Sequence, residues 1–173
     1  MSSFVQFINW HNEKYPKNKI NVDRVYFNLG IYLPDTIQIE QVLNLIEFYD
    51  HDNFLNSRNK TILDFLYSTA CRVSELCAVK ISDIDFDEDF VIVTGKGSKQ
   101  RIVPIGSELK SNLLKYLKIR DEYVNKNINS LFITKNSNSI ERTAIYRIVK
   151  NAALHIGIKE SIHPHTLRHS AAT

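Results

Sequence analysis

Cysteine is scarce in this 173-residue sequence: there are two, Cys71 and Cys77. Their spacing is not C-x-x-C, and two thiols in a chain of this size make no disulfide framework. A reduced, cytoplasmic setting is the expectation. Long apolar runs are missing as well. No stretch approaches the roughly 20 residues that a membrane-spanning helix needs. The start, Met1-Ser2-Ser3-Phe4-Val5-Gln6, has neither the basic nor the apolar part of a secretory signal. An excess of one charge is also lacking: 22 basic residues stand against 19 acidic ones, a formal +3. That excludes a polycation that holds nucleic acid by bulk charge. Any such role must come from basic groups placed on one face. No internal repeat and no low-complexity tract occurs.

What is present suffices for one core of ordinary size with an appendage: 43% of residues are hydrophobic and 10% aromatic. Phe4, Phe7, Ile8 and His11 share one face of a short helix over residues 4–15, which Pro16 and Lys17-Asn18-Lys19 end. Residues 20–32 have no clear period, and Leu33-Pro34-Asp35 reads as a boundary. Beyond it, Ile39, Val42, Leu43 and Ile46 predict a helix over 36–50. Another is expected from Ser57, a candidate N-cap, burying Ile62, Phe65 and Leu66. A break near Ala70 leads into a short helix over 72–79. The period then changes. Phe90 to Thr94 and Gln100 to Ile105 are strands joined by Gly95-Lys96-Gly97-Ser98-Lys99, a hairpin. Helices are predicted over 107–123 and 139–156, with Gly157 at C′ of the second. Leu131-Phe132-Ile133 is a short strand candidate, and Pro164 opens a last helix. The predicted fold class is mainly α with a small antiparallel β-sheet, α+β.

Three places carry groups suited to chemistry. Arg72 stands at a helix junction where free backbone N–H groups favour an anion, and Glu75 can reach back to it. Taken alone, that pattern fits an ordinary Arg–Glu pair on a wet helix better. Lys96, Lys99 and Arg101 surround the hairpin turn, where cations reach phosphates or a groove. A turn with solubilising lysines would look the same. His165 and Arg168 lie three apart on the last helix, a fork for two oxygens beside a proton carrier. His165 and His169, four apart, could instead share a metal. Together, two arginines, a lysine and a histidine on three elements would neutralise a pentacovalent phosphorane without metal.

In that order the motifs resemble the tyrosine recombinases of the Xer and phage-integrase type. Thr69 to Leu76 is similar to T-G-L-R-V-S-E-L except at two positions. Gly95 to Arg101 fits G-K-G-x-K-x-R, and His165 to His169 fits H-x-L-R-H. The resemblance covers residues 33–173 as a catalytic domain, with 1–32 as the end of an N-terminal DNA-clamping domain plus linker. It implies site-specific DNA recombination through a phosphotyrosyl link, on double-stranded DNA, by a recombinase tetramer on paired sites. No cofactor, membrane or small-molecule substrate is implied. Arg72 and Arg168 would hold the non-bridging oxygens, Lys96 would protonate the departing 5′-oxygen, and His165 would hydrogen-bond the phosphate. Glu75 would prop Arg72 and the loop, while Lys99, Arg101 and His169 would touch DNA. Two departures stand out. Ala70 replaces a glycine, which should stiffen the turn, and Cys71 puts a thiol open to oxidation beside Arg72. The family's tyrosine lies downstream of H-x-x-R, whereas all eight tyrosines here precede His165. The chain alone is therefore expected to be a catalytic domain cut short and inactive, its last helix exposing an apolar patch that invites aggregation or a partner. The alternatives are a non-catalytic module that binds DNA or a recombinase, and a metal-dependent phosphoesterase using His163, His165 and His169.

Overall fold

The computed structural model describes residues 12–14, 16, 37–124, 128–158 and 162–171. The chain divides into two units, Met1–Tyr32 and Leu33–Thr173, and every element named below belongs to the second. The expected helix over 4–15 lies mostly outside the described residues, and the Leu33-Pro34-Asp35 boundary lies wholly outside them.

The order is α1 (Ile39–Glu47), α2 (Phe54–Thr69), α3 (Val73–Ala78), β1 (Ile84–Asp85), β2 (Phe90–Thr94), β3 (Gln100–Pro104), α4 (Ser107–Tyr123), α5 (Arg142–His155) and α6 (Pro164–Ala171). Single 3-10 turns occur at Ile81–Asp83 and Lys96–Ser98. The three strands form one antiparallel sheet in the order β1-β2-β3. This is the predicted class, helices with a small sheet.

Helix α2 is the centre. Ile62, Leu63, Phe65 and Leu66 are fully buried, and α1, α4 and α6 all pack on it. It begins at Asn53, not at Ser57. Asn53 is extended, and its Oδ1 accepts the N–H groups of Leu55 and Asn56, both at 3.0 Å. That satisfies two donors that the first turn leaves open. Ser57 is buried inside the helix, with its hydroxyl 2.7 Å from His51 Nδ1. The buried polar groups of α2 are paired. Asn112 Nδ2 of α4 and Ser68 Oγ each donate to Asp64 at 2.8 Å. Burial still pushes the Asp64 carboxyl up, against those two bonds.

Helix α1 is rotated from the expected face. Val42, Leu45 and Ile46 are buried, whereas Ile39 and Leu43 are 62% and 52% exposed. The helix packs mainly on α2 and α5, so it needs a narrow stripe, and Leu45 completes that stripe better than Leu43. The segment 131–133 is core but not a ladder strand. It makes one isolated bridge, Ile133 to Ser139, and Ser130 just before it makes another with Lys80. All three of its residues are buried, and Phe132 packs on Phe65 and Tyr116 with ring centroids 5.8 and 5.6 Å away. In α5, Ile145, Ile148, Val149 and Ala152 are buried as their spacing predicts, and Gly157 follows at φ 78°. Helix α6 starts at Pro164 and buries Leu167. Its Ser170 hydroxyl accepts the Ile37 N–H at 3.2 Å, which ties it to the chain before α1.

Candidate phosphate-binding site

The site starts where α2 stops. Thr69 Oγ1 donates to the Phe65 carbonyl at 2.6 Å and accepts the Cys71 N–H at 3.3 Å. Ala70 between them is left-handed, φ 46° and ψ 29°. A residue with a Cβ takes that conformation at a cost of about 1–2 kcal/mol, which is why glycine suits it. The turn delivers Arg72, extended, to the head of α3. Glu75, one turn on, reaches back. Its Oε2 accepts the Arg72 N–H at 2.9 Å, and its Oε1 accepts Arg72 Nη1 at 2.9 Å. The first bond is the glutamate half of a capping box.

The hairpin meets the same carboxylate. Val93 pairs with Arg101 and Thr94 with Gln100, and the Gly95 N–H donates to the Lys99 carbonyl at 2.8 Å. Gly97 at φ 73° and Ser98 at φ 57° turn the loop. From β3, Arg101 Nη2 donates to Glu75 Oε2 at 2.8 Å. A Cβ on Gly95 would stand 3.1 Å from Glu75 Oε1, so the bare glycine is what admits the carboxylate beneath the turn. Glu75 is 2% exposed, while Arg72 and Arg101 are 56% and 41% exposed. Burial alone would push the Glu75 carboxyl up. The bonds from Arg101, the Arg72 N–H and the Arg72 guanidinium outweigh it and bring it down to about 2. Both arginines keep further N–H donors for another anion.

Helix α6, which packs on α2, carries the third cationic motif. Arg168 is half-buried, and His165 and His169 are exposed. Burial pushes the Cys71 thiol up to about 11, and the charges of Arg101 and Arg168 both pull against the rise. Arg72 and Arg101 meet on Glu75 next to buried Cys71, and Arg168 stands on the helix that packs on α2. Lys96, Lys99 and His165 are exposed and make no bond to Glu75; the hairpin carries both lysines beside the cluster. The expectation of an oxidisable thiol at Cys71 is overturned. The side chain is 1% exposed and holds its proton, so the thiolate that oxidants attack is suppressed. Among the described residues no three His, Cys, Asp or Glu side chains could hold a metal, and His163, His165 and His169 form no such group.

Two features were missed in the sequence: the close approach at Gly95 and the pairing of Arg101 with Glu75. Strand alternation was the available signal for the second. Val91, Val93 and Val103 face inward, and Arg101 shares their side of the sheet.

The model of the phage integrase family matches residues 35–173. The tyrosine recombinase XerC of Thermodesulfovibrio yellowstonii is 39% identical over 162 residues, 90% of this chain and 54% of that protein. The tyrosine recombinase XerD of Oceanobacillus iheyensis is 41% identical over 144 residues, 82% of this chain and 48% of that one. The chain spans about half the length of the curated relatives it matches. Among solved structures, XerA recombinase superposes with a TM-score of 0.72 at 26% identity, covering 99% of this chain and 60% of that one. The catalytic core of lambda integrase is similar in fold, with a TM-score of 0.60 at 17% identity, over 79% of this chain and 80% of its own. The family match takes in every element from α1 to α6 and all three cationic motifs, and the chain accordingly belongs to the phage integrase family, the tyrosine recombinases.

Proposed function

We propose that this chain holds the scissile phosphate in site-specific DNA strand exchange. One observation carries the reading: a buried carboxylate, Glu75, binds Arg72 at the head of α3 and Arg101 of β3 at once. Two cations from separate elements thus meet at one place, and Arg168, on the helix that packs on α2, is the third in this reading. A tyrosine oxygen, from none of the eight tyrosines that precede His165, bonds to phosphorus as the bond to the 5′-oxygen breaks, leaving a 3′-phosphotyrosyl link. Arg72 and Arg168 bind the non-bridging oxygens where negative charge grows. Lys96 gives its proton to the departing 5′-oxygen, a general-acid step worth about 10²–10⁴-fold. His165 hydrogen-bonds the phosphate and handles the proton of the attacking group. Bond energy passes into the link and back, so no nucleotide is consumed. The partner is double-stranded DNA, Lys99 and His169 contact it beside the phosphate, and the working assembly is a tetramer on paired sites. Residues 1–32 are the end of a DNA-clamping domain.

The test is the salt dependence of duplex binding by the whole chain, read by fluorescence anisotropy. Binding should weaken steeply between 50 and 200 mM salt. Arg72→Ala and Arg168→Ala should each flatten the log–log slope by about 0.9, the value for one lost phosphate contact. An absence of binding at low salt, or slopes that neither substitution changes, would refute the reading.

A further inference from the structure

Arg101 follows two lysines in a basic loop, and a phosphate contact is its obvious assignment. Its geometry is different. In the ladder it pairs with Val93, which is fully buried, so its side chain leaves the face of β3 that is turned inward. Gln100 and Ile102, its neighbours, leave the opposite face, where Ile102 is 68% exposed. The Arg101 guanidinium crosses from the sheet to α3 and donates to Glu75 Oε2 at 2.8 Å. That oxygen also accepts the backbone N–H of Arg72. Arg101 thus bonds to the atom that fixes the Arg72 backbone, while Gly95 lets the hairpin close over the other carboxylate oxygen. The loop carrying Lys96 is only the residues 95–99 between Thr94 and Gln100, and Arg101 is the first inward-facing side chain beyond it.

We propose that Arg101 is a positioning residue: through Glu75 it locks the hairpin that carries Lys96 onto the turn that carries Arg72. Its purpose rests on the strand-exchange reading, but the lock itself does not. Without Arg101, Glu75 still holds Arg72, and the turn keeps its own Gly95-to-Lys99 bond. What is lost is the ionic tie between them, leaving the packing of β2 on α3, so Lys96 moves more freely relative to Arg72.

The experiment uses the whole chain with Arg101→Gln and Arg101→Lys, first without DNA. Backbone order parameters for Lys96 to Ser98 should fall in Arg101→Gln, and the Glu75 carboxyl should titrate closer to its ordinary 4.5 than to about 2. Arg101→Lys, which keeps the charge, should restore part of both. Duplex binding is then measured against salt. A positioning role leaves the slope unchanged, whereas a phosphate contact removes about 0.9 from it. A slope reduced by that amount, or a loop whose order is untouched in Arg101→Gln, overturns the proposal. Should the unsubstituted chain bind no duplex, strand exchange fails as a reading, and loop order with the Glu75 titration still decides the lock.

Discussion

Replacing Glu75 by glutamine keeps the volume and removes the charge, which isolates what the carboxylate contributes. A carboxyl that ionises near 2 when folded and near 4.5 when unfolded stabilises the fold by about 3 kcal/mol at neutral pH. Arg72 and Arg101 are about half exposed, and water screens part of that attraction. A loss of about 2 kcal/mol is therefore expected for Glu75→Gln. With a urea slope of about 2 kcal/mol per molar, the midpoint at pH 7 should fall by about 1 M. The pH dependence is the sharper reading. Because the folded carboxyl sits low, its contribution is complete above about 4.5 and disappears as pH falls toward about 2. The gap between the two proteins should close over that window. Comparing them also cancels the other carboxyls, including Asp64, whose burial pushes it up. Urea midpoints, read by circular dichroism from pH 7 down to 2.5, measure this. A gap that is under about 0.5 kcal/mol at pH 7, or one that stays constant down to pH 2.5, would show that Glu75 is not the ionic hub the geometry describes.

Three further outcomes follow from the same turn. Ala70→Gly should raise stability by about 0.5–1 kcal/mol, since Ala70 is left-handed and glycine relieves it, and the urea midpoint reads the gain. Gly95→Ala should cost about 1 kcal/mol, because its Cβ would crowd Glu75 Oε1, and NMR titration should find the Glu75 carboxyl moved up from about 2. In a thiol assay at pH 8, half-buried Cys77 should react well before Cys71, whose thiol is 1% exposed and pushed up to about 11; equal rates would mean that the 69–72 turn opens freely.

The sequence carried the class of the fold and the three cationic elements, because each rests on local pattern. Hairpin strands, the 107–123 helix and the buried face of α5 all follow from periods of 2 or 3.6. What failed rests on choices that pattern leaves open. Asn53 and Ser57 are both good caps, and only the extended backbone at Asn53 decides between them. Ile39 and Leu43 fit a helical stripe as well as Leu45 does, and the narrow contact of α1 selects Leu45. The two-residue strand β1 is shorter than any period can reveal. At the site, Arg72 and Glu75 are legible as a pair because they lie one turn apart. Arg101 and Glu75 belong to different elements, and only the register of β2 on β3 brings them together.

A carboxylate inside the proposed phosphate-binding site looks counterproductive, since it repels the ligand. Its placement resolves the difficulty. Glu75 is buried beneath the turn while its arginines are exposed, so each guanidinium stands between the carboxylate and any anion arriving from solvent. Only part of each fork faces Glu75, and a guanidinium has five donors. The remaining donors are held in a fixed direction, which lowers the entropy lost when phosphate binds. The negative charge also lowers the net charge of the cluster, which weakens attraction for any DNA equally. Removing Glu75 should therefore leave loose duplex binding intact or stronger while spoiling the placement of Arg72 and Lys96. Affinity and placement are separable here, and a binding assay alone would misjudge the site, because the residue that organises it works against the simple attraction that such an assay reads.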